Sequence, residues 1–341
     1  SKHLRKGLSP RSEGVVFSRA DVEGGRQFIY TCGMNTNSVG CAFAKALKTI
    51  EGYCQPGDRV VVVEDDQSRF DMHIGRAAFR FLEEIYRMKI AKKKVVQALT
   101  RKVSSGRGPR GTKYTVPYTM QSGWPDTSCG DTTINAAMKY FIHGSGRPWI
   151  CIANGDDSVT VTLESEVMRL GGKEAIAQRY ARLGMEVKVE LRLDPLDVEF
   201  CSSRFFPWQD SYVLMPKPGR LLAKLGWDMR DRPVVQREEW VRGIASTLRH
   251  YGSVDPVLMA LGDALAQDVG VGKELVERNE YKLAIGKALS TDWDGVYLYY
   301  AHHYGMAVAD VDSLVRYLRR QAVGSRMTDS RVLMMADADL A

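Results

Sequence analysis

Residues 60–66 read Val-Val-Val-Val-Glu-Asp-Asp, and no other stretch restricts the fold so tightly. Consecutive β-branched residues favour an extended strand, and an unbroken apolar run fits a buried one. The strand then runs straight into Glu64, Asp65 and Asp66. Carboxylates at the end of a buried strand are costly unless something pairs with them. A divalent cation is a suitable partner, because Mg²⁺ takes one or two carboxylates together with substrate phosphates. Asp71 follows five residues on, at the start of the next helix. An acid there is equally accounted for by the helix macrodipole.

The flanking pattern supplies the layers around that strand. Residues 1–33 read as loop and short strands. Residues 38–53 have helical periodicity, residues 73–90 form a strongly amphipathic helix, and residues 100–120 read as a hairpin around "GRGPRG". Thr127 is expected to cap a helix running to about Tyr140. Residues 147–163 read as strand–turn–strand, residues 173–184 as a helix with Gly184 at its C-terminal end, and residues 185–192 as an alternating strand. "VEFCSSRFF" and "SYVLMP" make a second hairpin, and after about residue 217 the pattern is mostly helical. The order strand–helix–helix–hairpin–helix–strand implies an α+β layout: a mixed sheet with helices on one face, then a helical C-terminal domain.

Composition sets the class. A chain of 341 residues with 44% hydrophobic and 26% charged residues is an ordinary soluble globular protein with room for two or three subdomains. It has no apolar run long enough to span a membrane. Six cysteines without CxxC spacing imply reduced, mostly buried thiols rather than a disulfide framework or a zinc site. The start at Ser1, basic and without a signal peptide, fits a trimmed or processed chain. Net charge is +7, and residues 87–113 hold ten Lys or Arg and no acid. Such a block suits a phosphate backbone, or equally a solvated helix face followed by a loop.

Two further stretches bear chemistry. In "IANGDDSVTV", residues 152–161, Asn-Gly supplies the positive φ of a tight turn. Gly-Asp-Asp is common in ordinary turns, so the residues fit either a plain hairpin or a metal site. In "QSGWPDTSCGDTTIN", Gly123 allows close backbone approach to a ligand, and Thr127, Asp131 and Asn135 share a helix face that is either solvated or functional. If Asp66 and Asp156 lie on neighbouring elements, they can bridge two Mg²⁺ ions about 4 Å apart, clamping the attacking and leaving oxygens of a phosphoryl displacement.

Taken in order, "DQSRFD" (Asp66 to Asp71), "SGWPDT" (Ser122 to Thr127) and "GDD" (Gly155 to Asp157) resemble motifs A, B and C of viral RNA-dependent RNA polymerases. "DQSRFD" with "EFCSSRFF" is similar to the tombusvirus-like and nodavirus-like positive-strand groups, and "LSPRS" at residues 8–12 is similar to the end of motif F in the fingers. The resemblance runs from about residue 5 to about residue 216; beyond that the chain matches only in being helical. It implies a right-hand polymerase of α+β class, with a palm of antiparallel sheet plus helices, partial fingers and a helical thumb. The fingers would take residues 1–58, truncated at the N-terminus, with an insertion at 76–120. The palm would take 59–75 (motif A) and 121–216 (motifs B to E), and the thumb 217–341.

The same resemblance implies roles residue by residue. Asp66 and Asp156, assisted by Asp157, would hold the metals, Mg²⁺ or alternatively Mn²⁺. Asp71 would sense the ribose 2′-hydroxyl, Ser122 and Gly123 would form a mobile loop, and Thr127 would face the nucleotide. Arg11, with Arg5 or Lys6, would contact the triphosphate. Lys188 would be the general acid for pyrophosphate, unless it is a plain exposed strand lysine. Phe200–Phe205, with Cys201, Ser202 and Arg204, would be the primer grip. The implied partners are RNA template, nascent RNA, NTPs and other viral replication proteins, in a replication complex in the host cytoplasm, with any membrane association through segments outside this chain.

Motif B usually has Asn where this chain has Asp131. Beside Asp71 a second carboxylate would repel, raising one pKa, unless Arg69, Thr132 or Asn135 supplies a donor. Two rival readings stand. A reverse transcriptase usually has a bulky side chain where Asp71 sits. A non-catalytic RNA-binding protein leaves the acids after the valine run unexplained.

Overall fold

The structure is a computed structural model that describes residues 28–90, 92–100, 103–121, 123–225, 234–275 and 289–340. Arg5, Lys6, Arg11 and Ser122 lie outside the described residues. The chain divides into two compact units, one taking the residues up to Met34 with Lys45–Cys201, the other Asn35–Ala44 with Ser202 onward.

Along the first part of the chain come β1 (Phe28–Tyr30), α1 (Thr36–Glu51), β2 (Val60–Ser68), the short α2 (Phe70–His73), α3 (Arg76–Lys89) and α4 (Lys93–Thr100). The hairpin β3 (Val103–Arg107) and β4 (Lys113–Pro117) precedes α5 (Thr127–His143). Then follow β5 (Trp149–Asn154), β6 (Asp157–Leu163), α6 (Glu164–Arg169), α7 (Gly172–Arg182), β7 (Glu186–Arg192) and β8 (Glu199–Phe200). Five strands form one sheet in the order β1-β5-β6-β2-β7, with β1 parallel to β5 and the other pairs antiparallel. This is the expected mixed sheet. The valine run is its β2, between β6 and β7.

Side chains on successive strand residues point to opposite faces. On β2, Val61, Val63, Asp65 and Gln67 share one face and are buried. Val61 and Val63 pack in one cluster with Ile134 and Met138 of α5, Ile176 and Tyr180 of α7, and Val189 of β7. Glu64, Asp66 and Ser68 point the other way, and Asp66 and Ser68 are exposed. The β2–β6 ladder ends at Glu64 opposite Val159, whereas the β2–β7 ladder continues to Ser68 opposite Glu186.

Two local expectations are corrected. The helix expected over 73–90 is broken: α2 ends at His73, Ile74 and Gly75 are extended, and α3 starts at Arg76 with Phe79, Leu82 and Tyr86 buried along one face. Thr127 does not cap α5. Asp126 holds the N-cap position, and the Thr127 hydroxyl donates to the Gln121 carbonyl at 2.6 Å. Within the basic block, α4 buries Val96 and Leu99 and exposes Lys93 and Lys94, in keeping with the solvated helix face that was one of its two readings. The hairpin after it and the left-handed Gly184 (φ +85°) just beyond α7 are as expected. All six cysteines are free, but only Cys129 and Cys151 are buried.

The second unit contains the hairpin β9 (Ser203–Trp208) and β10 (Ser211–Pro216), then α8 (Pro218–Lys224), α9 (Val234–Gly252), α10 (Pro256–Val269), α11 (Trp293–Tyr304), α12 (Val308–Leu318) and α13 (Ser330–Leu340). Its core joins Phe206 and Val213 of the hairpin to Leu258, Leu261, Tyr299, Leu314 and Met335. Buried Asp255 caps α10 by accepting the Val257 N–H at 2.9 Å, and it also accepts the Tyr300 hydroxyl at 3.0 Å. Gly40 of α1 lies so close to β10 that a Cβ would stand 1.9 Å from the Tyr212 carbonyl oxygen. Among the described residues no helix is long and apolar enough to cross a membrane.

Candidate active site

The hairpin of β5 and β6 closes through Asn154 opposite Asp157, so its two-residue turn is Gly155–Asp156. Gly155 takes φ +74°, the glycine-first pattern of a II′ hairpin. Sequence alone centres the turn on Asn154–Gly155. Asn154 instead stays in the strand, where its side-chain oxygen accepts the Ser128 hydroxyl at 3.2 Å. Helix α5 holds the turn. The Thr132 hydroxyl oxygen accepts the Gly155 N–H at 2.7 Å. The Asn135 amide donates to the Gly155 and Asp156 carbonyls, each at 3.2 Å, and its oxygen accepts from Gln67 of β2 at 3.4 Å.

One polar face of α5 is therefore turned inward. Ser128, Thr132, Asn135 and Lys139 are spaced to share a face, and each bonds a residue of the β5–β6 hairpin. Asn135 belongs to this set, and with Asp131 also buried the face expected as either solvated or functional is not a solvated one. Sequence reasoning missed Ser128 and Lys139 altogether.

The carboxylates gather at the end of the sheet where β2 leaves its β6 partner. Asp66 is exposed and stands directly opposite Lys188 of β7. Lys188 is itself exposed, with its ammonium 3.4 Å from Glu190. Asp156 and Asp157 reach solvent, yet each is set among enough protein and negative charge to hold its proton more tightly than usual. Burial raises Asp156, and the charges of Asp71 and Asp66 add to it. Burial and then the Asp156 charge push Asp157 up to about 6. Hard oxygen donors that repel one another are a set a divalent cation fits. Among the described residues their oxygens form an open set, not all within 4.8 Å of one another.

Asp131 is buried, with one carboxyl oxygen lacking a hydrogen-bond partner. Burial, then the charge of Asp71 and a hydrogen bond to it, push its pKa up to about 9. The three donors suggested by sequence are occupied elsewhere. Thr132 donates to the Ser128 carbonyl, Asn135 holds the turn, and exposed Arg69 reaches Glu186 at 3.4 Å. None of the three answers the Asp131 carboxyl, whose hydrogen bond runs instead to Asp71.

Other expected site residues are placed as follows. Gly123 is left-handed (φ +82°), as a sharp loop requires. Cys201 and Ser202 are both left-handed (φ +52° and +58°), forming a strained turn ahead of β9. Arg204 is engaged: its guanidinium lies 2.7 Å from buried Asp339, which also accepts the Gly219 N–H at 2.8 Å and the Tyr304 hydroxyl at 2.7 Å.

Comparison with known proteins bears on the family and the fold. A family model described as viral RNA dependent RNA polymerase matches residues 29–294. The RNA-directed RNA polymerase of groundnut rosette virus (strain MC1) is 30% identical over 191 residues, covering 53% of this chain and 22% of the relative. Those of tobacco necrosis virus (strain D) and cucumber necrosis virus are each 26% identical, covering 57% and 58% of this chain and 28% and 24% of theirs. The chain thus spans about a quarter of the length of these curated relatives. Among solved structures, the RNA-dependent RNA polymerase of a human "picorbirnavirus" has the same fold, with TM-score 0.53 and 16% identity over 69% of this chain and 44% of that one. A reverse transcriptase is not favoured by these matches.

Proposed function

Because the chain belongs to the viral RNA-dependent RNA polymerase family, we propose that it carries the palm, the thumb and part of the fingers of an enzyme that builds RNA on an RNA template in the host cytoplasm. The observation that carries this reading is the gathering of Asp66, Asp156 and Asp157 at one end of the sheet, with Asp71 and Asp131 beside them. In the reaction a 3′-hydroxyl attacks the α-phosphorus of an NTP. One P–O bond forms, the bond between the α-phosphorus and its bridging oxygen breaks, pyrophosphate leaves, and the hydroxyl proton is released.

Asp66, Asp156 and Asp157 would hold two Mg²⁺ or Mn²⁺ ions, which when bound neutralise phosphate charge and ease deprotonation of the hydroxyl. The protein's own part is positional. Thr132 and Asn135 fix the Gly155–Asp156 turn, so that Asp156 and Asp157 are presented from a rigid hairpin. With its proton retained, Asp131 offers one donor and one acceptor, the same pair an Asn amide offers. Together with Asp71 it would recognise a ribose 2′-hydroxyl.

The remaining roles rest on the motif resemblance. Lys188, opposite Asp66, is the candidate to protonate pyrophosphate, against its reading as an exposed strand lysine paired with Glu190. Ser122 and Gly123 would form the loop that adapts to the nucleotide pair and Thr127 would face the nucleotide, Lys6 and Arg11 would contact the triphosphate, and the Cys201–Ser202 turn with Arg204 would grip the primer. Arg107 and Lys113 lie opposite each other on β3 and β4. Like charges there repel unless a polyanion lies across them, which supports an RNA contact at that hairpin. The test is primer extension on an RNA template with Mg²⁺. RNA product from the full chain and none from Asp156→Ala is expected; product from Asp156→Ala overturns the assignment.

A further inference from the structure

Behind the carboxylates lies a buried polar cluster that the reaction itself does not use. Lys139 of α5 is fully buried and ion-paired with Asp65 of β2. Tyr180 of α7, also fully buried, donates its hydroxyl to the same carboxylate oxygen as Lys139. The other Asp65 oxygen accepts the Ser158 hydroxyl at 2.8 Å, and Lys139 also donates to the Thr160 hydroxyl at 3.0 Å. Ser158 and Thr160 lie on β6, directly after Asp157.

The position of this cluster is what gives it a use. The backbone ladder between β2 and β6 stops at Glu64 opposite Val159. Asp66 and Asp157 both lie past that last rung, so no β2–β6 ladder bond fixes the distance between them. Asp65, one residue before Asp66, bonds Ser158, one residue after Asp157. Its ion pair ties the same point to α5, the helix that also holds the Gly155–Asp156 turn. We infer that Asp65 and Lys139 are positioning residues: their buried pair replaces the missing rungs and sets the separation of Asp66 from Asp156 and Asp157. This inference rests on the polymerase reading of those three carboxylates.

The competing account is plain adhesion of α5 to the sheet. Apolar side chains would serve that purpose as well, because a buried ion pair can often be replaced by hydrophobic residues without loss of stability. Directed, satisfied hydrogen bonds add fixed geometry to that adhesion. The two accounts therefore part at the double variant Asp65→Leu/Lys139→Met.

In the full chain the double variant is expected to fold, with a modestly lower melting temperature because the buried Tyr180 and Ser158 hydroxyls lose their acceptor, and to keep its affinity for a primer–template RNA. The KM for NTP should stay within about threefold, while kcat falls about 100-fold, as when reacting groups are misplaced by about an ångström. Mn²⁺ binding without RNA, followed by electron paramagnetic resonance, should weaken in parallel. Parent kcat and parent Mn²⁺ affinity in a folded double variant would overturn the inference. Should that variant not fold, Ser158→Ala decides: it removes one bond to Asp65 and leaves the ion pair. A loss of about tenfold in kcat at unchanged KM supports the positioning role, and parent kcat defeats it. If the parent chain makes no RNA, the polymerase reading fails, and the Mn²⁺ titration still tests whether the pair shapes the carboxylate site.

Discussion

Asp65 and Asp66 are adjacent and chemically identical, yet they occupy opposite sides of one strand. Asp65 is enclosed by Lys139, Tyr180 and Ser158, so every part of its charge is answered by protein. Asp66 stands exposed on the other face, opposite Lys188 and within electrostatic reach of Asp156 and Asp157. The period of two along a strand has divided one acidic pair into a structural group and a reactive one. A carboxylate's role at such a site is set by the face it lands on rather than by its nearness to the motif.

The largest expected effect comes from the open side. Asp66→Ala should lower nucleotide addition by about a thousandfold or more, with the melting temperature unchanged because the side chain is exposed. Equal loss of stability in this variant would break the contrast between the two faces. Asp65→Ala should act chiefly on the fold. Removing one partner of a buried pair leaves Lys139 uncompensated, and unfolding in urea should show a loss of about 3–5 kcal/mol.

Asp131→Asn is expected to have a smaller effect and the opposite sign. The folded-state pKa of Asp131 is raised to about 9 from an ordinary value near 3.8, by burial and by Asp71, with Asp156 and Asp126 adding to it. Between those values the folded chain binds a proton that the unfolded chain does not, so stability falls as pH rises through that window. Asn needs no proton, and the variant should be more stable by about 1–3 kcal/mol near pH 8. Its melting temperature, measured in chelator, should lose the parent's decline between about pH 5 and about pH 9. The least effect is expected at the far end of β2, where Arg59 and Glu164 form a half-exposed bidentate pair. Arg59→Ala should barely move the melting temperature, since exposed pairs contribute little. A shift as large as that of Asp65→Ala would erase the distinction between buried and exposed pairing.

Much of this was legible in the sequence, and what was not has physical causes. The valine run, the β5–β6 hairpin, Gly184 beyond α7 and the helical second unit follow from local period and turn chemistry. The polar residues of α5 stay open in the sequence between a solvated and a functional face. Helical spacing tells which residues share a face, but not whether that face meets water or a hairpin with unsatisfied backbone groups. Nothing local marks Lys139 as buried, and only its distant partner Asp65 explains its burial. For Asp65 there was a usable signal: it continues the Val61–Val63 face of β2. The break between α2 and α3 was hidden because Ile74 and Gly75 keep the apolar spacing while their backbone is extended.

The Lys139–Asp65 pair also restricts how this sequence can drift. Changing either residue alone strands a charge in the interior, whereas changing both to apolar residues keeps the core filled. The two positions are thus separated from an apolar alternative by a fitness valley that single substitutions cannot cross without loss. In an alignment of relatives they should vary together, charged as a pair or apolar as a pair, while Asp66 beside them stays constant.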